Sequence, residues 1–402
     1  NHASPSAVID GLLRAGAVDT RPEKAGLASF TAAALLHGAG GRTFTQIFEE
    51  IESVGARLAF SAGQHATEFS GRCLAEDLDL ILDIAWEALR APGFPAEQVE
   101  RLRGQIITGL HIQAHDTRQV AGLEFARLAY QPGHPYCRLT TGTIETVAAI
   151  SREDIVSFHR QRYRPRGMIL SIVGDVGAET LIPELERRLG DWPDEGQAVR
   201  PELPPVRPLT ATQERFVVVP GKSQADILLG AAGPPRAAAD FMHARLANTI
   251  LGVFGLMGRL GVKVRDEQGL AYYAYSELRG GLGPGPWLVS AGVHPDNISQ
   301  AIRSIRDEIR RLQSERVPAD ELADNQSFML GSLPIHLETN EGVSSVILDM
   351  ELFGLGMDYL QRYPEMIRQI EADQVQAAAQ RYLNPDVYAL AVAGPLGEDS
   401  HG

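Results

Sequence analysis

The sequence predicts an α+β protein of two duplicated domains, each a mixed β-sheet covered by helices. Three observations carry this. The chain has 402 residues, more than one ordinary core needs. A helix, turn and strand pattern recurs at a nearly constant offset. Alternating or β-branched runs are interleaved with long amphipathic stretches throughout.

Taken in order, strand patterns cover Ala7 to Arg14 and Glu68 to Leu74, followed by a helical stretch from Leu78 to Leu89. Phe94-Pro95-Ala96-Glu97 opens a helix to Leu110, and Val317-Pro318-Ala319-Asp320 opens another to Leu333, 223 residues later at both ends. Each start pairs a proline with an acidic first turn, which suits the free N–H groups and positive end of a helix. Asp154 to Tyr163 followed by Pro165 matches Asp373 to Tyr382 followed by Pro385, and each runs into an apolar strand, Met168 to Val173 and Tyr388 to Val392. Between the halves, Trp192 to Thr212 holds five prolines and reads as a semi-rigid linker. The expected division is 1–195, a linker over 196–212, and 213–402. Strands are also expected at Arg215 to Val219, Ala225 to Ala231 and Trp287 to Val293, with a helix at Ile298 to Leu312 and a hairpin loop at Gly280 to Pro286.

Composition narrows the function. Hydrophobic residues at 44% and charged residues at 22% are the balance of a folded globular chain. A formal charge of −14 opposes phosphate, so nucleic acid is not an expected partner. No apolar run approaches the roughly 20 residues of a membrane span. The chain is expected to be soluble, periplasmic or cytoplasmic if bacterial, with the compartment left open. Cys73 and Cys137 lie in unlike contexts and are expected as free thiols. Gly221-Lys222-Ser223 has the look of a phosphate-loop tail, but Phe216 stands where that loop needs glycine.

The string Gly26-Leu27-Ala28-Ser29-Phe30-Thr31-Ala32-Ala33, closed by Gly38 and Arg42-Thr43, resembles the Gly-Leu-Ala-His-x-x-Glu-His segment of the M16 (insulinase or pitrilysin-like) peptidases. In that motif two histidines one turn apart bind Zn²⁺ and the glutamate is the general base on metal-bound water. The equivalent positions here are Ser29, Ala33 and Ala32, and the family's third ligand, a glutamate on a later helix, falls at Gly109 beside Thr108. The resemblance therefore implies a degenerate site with no metal of its own. His37 has no second ligand one turn away. His111 and His115 have metal-pair spacing but no evident third ligand, and a solvated helix face is the expectation.

The second half keeps what the first has lost. Arg259-Leu260 and Val264-Arg265-Asp266-Glu267-Gln268-Gly269-Leu270-Ala271-Tyr272-Tyr273 resemble the C-terminal half of the same peptidases, where an Arg and a Tyr seven residues apart project towards the zinc site. Arg265 and Tyr272 have that spacing. Gln224-Ala225-Asp226-Ile227 and Ala247 to Gly252 extend the match. The likeness implies a LuxS/MPP-like metallohydrolase fold and an inactive subunit similar to those of mitochondrial processing peptidase. It further implies a heterodimer with a zinc-bearing M16 subunit, no cofactor in this chain, Zn²⁺ in the partner, and an unfolded peptide substrate. Arg57 to Ala62 corresponds to the family's substrate-binding edge. The alternatives from other classes are a non-catalytic scaffold, like the core subunits of respiratory complexes, and a peptide-binding or chaperone-like homodimer.

Overall fold

The computed structural model describes residues 4–194 and 202–395, so linker positions 196–201 lie outside the described residues. The described residues fall into two compact units, the first within Asn1–Leu110, Leu139–Glu202 and Ile335–Met357, the second within His111–Arg138, Leu203–Pro334 and Asp358–Gly402. The two sheets do divide between the two halves of the chain, but each unit also takes in one segment from the other half.

In the first unit β1 (Ser6–Leu13), β2 (Arg57–Ala62), β3 (Thr67–Leu74) and β4 (Ile169–Gly174) form a sheet in the order β2-β3-β1-β4. All its pairings are antiparallel. The helix Leu78–Arg90 buries Leu78, Ile81, Leu82, Ala85 and Leu89, the three-and-four spacing of one apolar stripe. Each large aliphatic side chain so buried contributes roughly 1.5–3 kcal/mol. Phe69 of β3 meets Trp86 of that helix edge-on, ring centroids 6.0 Å apart.

The second sheet, β5 (Gln213–Val218), β6 (Ala225–Ala232), β7 (Ala271–Leu278), β8 (Pro286–Val293) and β9 (Ala389–Gly394), runs β5-β9-β6-β8-β7. It is mixed, because β5 lies parallel to β9 while the other pairs are antiparallel. The first sheet has no counterpart of β5 among the described residues, which is why only the second is mixed. The hairpin expected around Gly280 to Pro286 joins β7 to β8.

The repeat is visible element by element. The helices Ala96–Gln113 and Ala319–His336 both have 18 residues, and each begins with the proline carbonyl accepting its first bond, Val99 N to Pro95 O and Leu322 N to Pro318 O, both 2.9 Å. The helices Arg152–Arg162 and Ala372–Tyr382 lead into β4 and β9. The helices Thr117–Ala129 and Asn340–Leu352, each of 13 residues, stand at the same 223-residue offset, and these two are exchanged. Thr117–Ala129 packs on β5, β9 and β6 of the second sheet, and Asn340–Leu352 on β4 and β1 of the first. Both central strands β6 and β9 are accordingly buried on both faces. Part of the proline-rich linker is tied to the second unit: Gln131 Nε2 donates to Pro205 O at 2.7 Å and His134 Nε2 lies 3.1 Å from Pro204 O.

Among the described residues no helix is long and apolar enough to cross a membrane. Cys73 and Cys137 are both free, and burial pushes the Cys73 thiol up to about 11.

His159 is a titratable group built into the core of the first unit. Its ring stacks on Tyr163, centroids 4.7 Å apart, and Nε2 lies 2.9 Å from the Leu89 carbonyl. Burial holds its pKa down at about 4 against an ordinary 6.5. Between these values the unfolded chain binds the proton and the folded one does not, so stability is full above 6.5 and is lost as pH falls towards 4, by roughly 1.4 kcal/mol per pH unit at most. Urea unfolding from about pH 7 down to about pH 4.5 should show this slope reduced in His159→Gln. An unchanged slope in the variant would assign the acid sensitivity to other groups.

Candidate functional site

The expected zinc positions sit on two packed helices of the first unit. Ser29, Ala32 and Ala33 lie on the helix Leu27–Ala34, and Gly109 on Ala96–Gln113. The Arg103 guanidinium of the second helix covers the Phe30 ring of the first at 5.3 Å. The two helices come together here, but the expected positions bring no metal donor. The Ser29 hydroxyl donates to Thr140 O at 2.8 Å. Ala32 is fully buried, Ala33 is exposed, and a Cβ added at Gly109 would meet nothing within 4 Å. One hydroxyl already engaged, two methyl groups and a bare backbone do not fit Zn²⁺, which takes nitrogen, sulfur or carboxylate donors.

The nearby histidines do not replace them. His37 lies past the helix end with its ring 4.7 Å from Phe44, and burial lowers its pKa. His111 and His115 are exposed, and His115 Nδ1 lies 2.9 Å from the His111 carbonyl. Among the described residues no three His, Cys, Asp or Glu side chains are grouped as a metal site needs. Arg57–Ala62 is an edge strand, β2, as its place in the sheet order shows.

Arg265 and Tyr272 lie in the second unit, on consecutive elements. Arg265 belongs to a π-helical turn, Gly261–Glu267, and its half-exposed guanidinium is 3.5 Å from Asp266. Gly269, at φ +64°, turns the chain into β7, with Leu270 N bonded to Val264 O at 3.0 Å. Tyr272 then falls at a β-bulge: Ala271 pairs with Val293 and Tyr273 with Gly292, so Tyr272 has no opposite residue. It is 73% exposed. A bulge re-aims the side chain it carries, and here it puts two successive tyrosines to opposite uses.

Tyr273 is the fixed one. Tyr273, Gly292 and Asp226 are in register across β7, β8 and β6, and the tyrosine ring reaches over the glycine to the carboxylate beyond. Gly292 is required there because a Cβ would stand 2.4 Å from Tyr273 Cε1. The Tyr273 hydroxyl donates to Asp226 Oδ1, and Thr117 Oγ1 donates to Oδ2. Arg118 donates from Nε to the Tyr273 oxygen at 3.2 Å and covers its ring at 4.4 Å. Burial and then the bond to Asp226 push the phenol pKa up, against Arg118. Asp226 is 3% exposed, and a buried carboxylate needs such donors. Sequence reasoning quoted Asp226 and Tyr273 without giving them a task and missed Thr117 and Arg118. No local pattern marks them, since they come from the exchanged helix.

Two family models match the chain: Insulinase (Peptidase family M16) over residues 2–130 and Peptidase M16 inactive domain over residues 149–328. An uncharacterised zinc protease of Mycobacterium leprae is 26% identical over 97% of this chain and 87% of its own length, and one of Streptomyces coelicolor is 27% identical over 95% and 83%. Among solved structures, a peptidase M16 inactive domain from Pseudomonas fluorescens superposes with a TM-score of 0.91 at 23% identity, covering 99% of this chain and 94% of that one. A protease from Helicobacter pylori gives 0.90 at 16%, covering 98% and 95%. The chain belongs to the M16 peptidase family.

The row that fixes Tyr273 gives a direct expectation. Tyr273→Phe leaves the buried Asp226 short of a donor and should cost roughly 1–3 kcal/mol, read as a lower denaturation midpoint. Gly292→Ala should cost a similar amount by displacing the ring. Wild-type stability in both variants would show that the row does not hold the bulge.

Proposed function

We propose that this chain is the non-zinc-binding subunit of a two-chain M16 metallopeptidase, inactive alone, which supplies Arg265 and Tyr272 to a partner carrying the His-x-x-Glu-His motif. The observation that carries the reading is Tyr272, an aromatic side chain held 73% exposed by a bulge in a chain whose zinc positions have no donors. Exposure of one ring alone means little, but a bulge with a buried anchor behind it is an unusual way to hold a ring in water. A guanidinium can fix a peptide carbonyl or carboxylate. A phenol can donate to the oxyanion that develops on the scissile carbonyl. Both tasks serve a metal that another chain binds.

The substrate in this reading is an unfolded peptide added as a strand to a sheet edge, where main-chain bonds do not depend on sequence. β2 offers such an edge in this chain. The other functions open to the fold are a non-catalytic scaffold, which has no use for the Arg265 and Tyr272 pair, and a peptide-binding protein, which would bind peptide with no partner.

The test is to mix the chain with an M16 chain from the same source that carries the intact motif. Hydrolysis should need both chains, with zinc on the partner only. Arg265→Ala should abolish turnover and Tyr272→Phe should lower kcat on the order of 10²-fold, with assembly by gel filtration unchanged. A partner fully active alone and indifferent to this chain would leave scaffolding or peptide binding as the function.

A further inference from the structure

A cavity of about 350 Å³ lies wholly within the first unit, where the loop after the helix Leu78–Arg90 meets the helix Arg152–Arg162. The buried rings of Phe94, Tyr163 and Trp192 supply its apolar lining. Its charged lining is of one sign: Arg90, Arg152, Arg160 and Arg164, with no aspartate or glutamate. In a chain with 51 acidic residues against 37 lysines and arginines, that set runs against the overall balance. The adjoining cavity shares Arg90, Arg164 and Trp192 but adds Asp83, Glu87 and Asp191, so the cationic excess belongs to the first.

What holds these arginines does not neutralise them. Arg152 donates from Nε to Phe94 O at 2.6 Å and from Nη2 to Gly93 O at 3.2 Å. Phe94 is left-handed, φ 44°, a strained conformation for a residue with a ring, and the two bonds clamp the loop that carries it. Arg164 donates from Nη2 to Arg160 O at 2.6 Å. Main-chain carbonyls orient a guanidinium and leave its charge in place. Among the described residues no ion pair involves Arg152, Arg160 or Arg164. Arg90 meets Asp191 at 2.8 Å, but that carboxylate is 76% exposed, and such a pair contributes little. His159, which also lines the cavity, brings no counter-charge: burial above all holds its pKa down, and Arg164 and Arg160 add to the effect.

An uncompensated cationic cavity backed by buried rings attracts an anion more strongly than the same charges would in open water. A carboxylate offers two oxygens in one plane and a single charge. A phosphate group offers oxygens in several directions, which suits guanidinium groups brought in by separate segments. We infer that this cavity binds a phosphate-class anion of two or more charges, free or as a phosphate ester, through Arg152, Arg160 and Arg164. The elements that line it carry none of Ser29, Ala32, Ala33, Gly109, Arg265 and Tyr272, and the inference does not rest on the function proposed above.

The test titrates the intact chain alone with sodium diphosphate by isothermal calorimetry at low ionic strength. Binding at one site with a Kd below about 1 mM is expected. Arg160 is exposed and its side chain has no hydrogen bond or ion pair among the described residues, so Arg160→Gln should fold as the wild type does. It should weaken binding about tenfold or more, the loss of one charge-assisted contact. Arg166 is paired with Asp194 and does not line the cavity, so Arg166→Gln removes the same charge and should leave the affinity unchanged. ADP in place of diphosphate separates the sources: tighter binding assigns a nucleotide, and equal or weaker binding the free anion. No binding of diphosphate at about 10 mM, an equal effect of the two substitutions, or citrate binding as tightly as diphosphate overturns the site.

Discussion

Neither sheet of this protein is finished by its own half of the chain. A strand buried on both faces needs cover on both, and for each sheet part of that cover is a helix from the other half, Thr117–Ala129 on the second sheet and Asn340–Leu352 on the first. The two helices do the task with different surfaces. Thr117–Ala129 buries Ala121, Phe125 and Ala129, small residues around one ring. Asn340–Leu352 buries Gly342 and Ser344, and Ser344 is hydrogen-bonded to Ser171 of β4 at 3.0 Å. Small side chains let a helix approach a sheet closely, and the serine pair satisfies two buried hydroxyls that would otherwise cost free energy.

The exchange also reaches the candidate site. Thr117 and Arg118 open the helix that covers the second sheet, and they complete the shell around Asp226. Asp226 holds Tyr273, Tyr273 fixes the residue after the bulge, and the bulge leaves Tyr272 in solvent. The exposure of Tyr272 is thus the end of a chain of constraints that begins in the other half of the sequence. Gly292 is the one position in the row where a side chain of any size would break it.

These links divide what the sequence could show from what it could not. The duplication was legible because a Pro and acidic helix start, and an Arg-Tyr end before a proline turn, are local signals that repeat at fixed offsets. That Ser29, Ala32 and Ala33 share one helix, and that Arg265 and Tyr272 lie on consecutive elements, was legible because spacing along one helix or one turn is a property of the string. The exchange was not, because Gly342 and Ser344 give no apolar stripe that points to a sheet. The bulge was not either. Tyr272-Tyr273-Ala274-Tyr275 offers a tyrosine to either face, so alternation along the strand cannot say which ring faces water.

The helix Leu27–Ala34 poses the last question, what holds it in the first unit. Alanine is the best helix former, so Ala32, Ala33 and Ala34 stabilise the helix that histidines and a glutamate would occupy at some cost. Phe30 is 1% exposed and lies under Arg103, and Arg103 also bonds Val147 O at 2.6 Å. The helix therefore joins the long helix Ala96–Gln113 and the short helix Ile144–Ala148, which carries Val147, in one core. Packing of that kind does not depend on the metal. The core around Leu27–Ala34 therefore asks little of Ser29, Ala33 or Gly109 beyond helix formation, while in the second unit Asp226 holds Tyr273 and the bulge leaves Tyr272 in solvent.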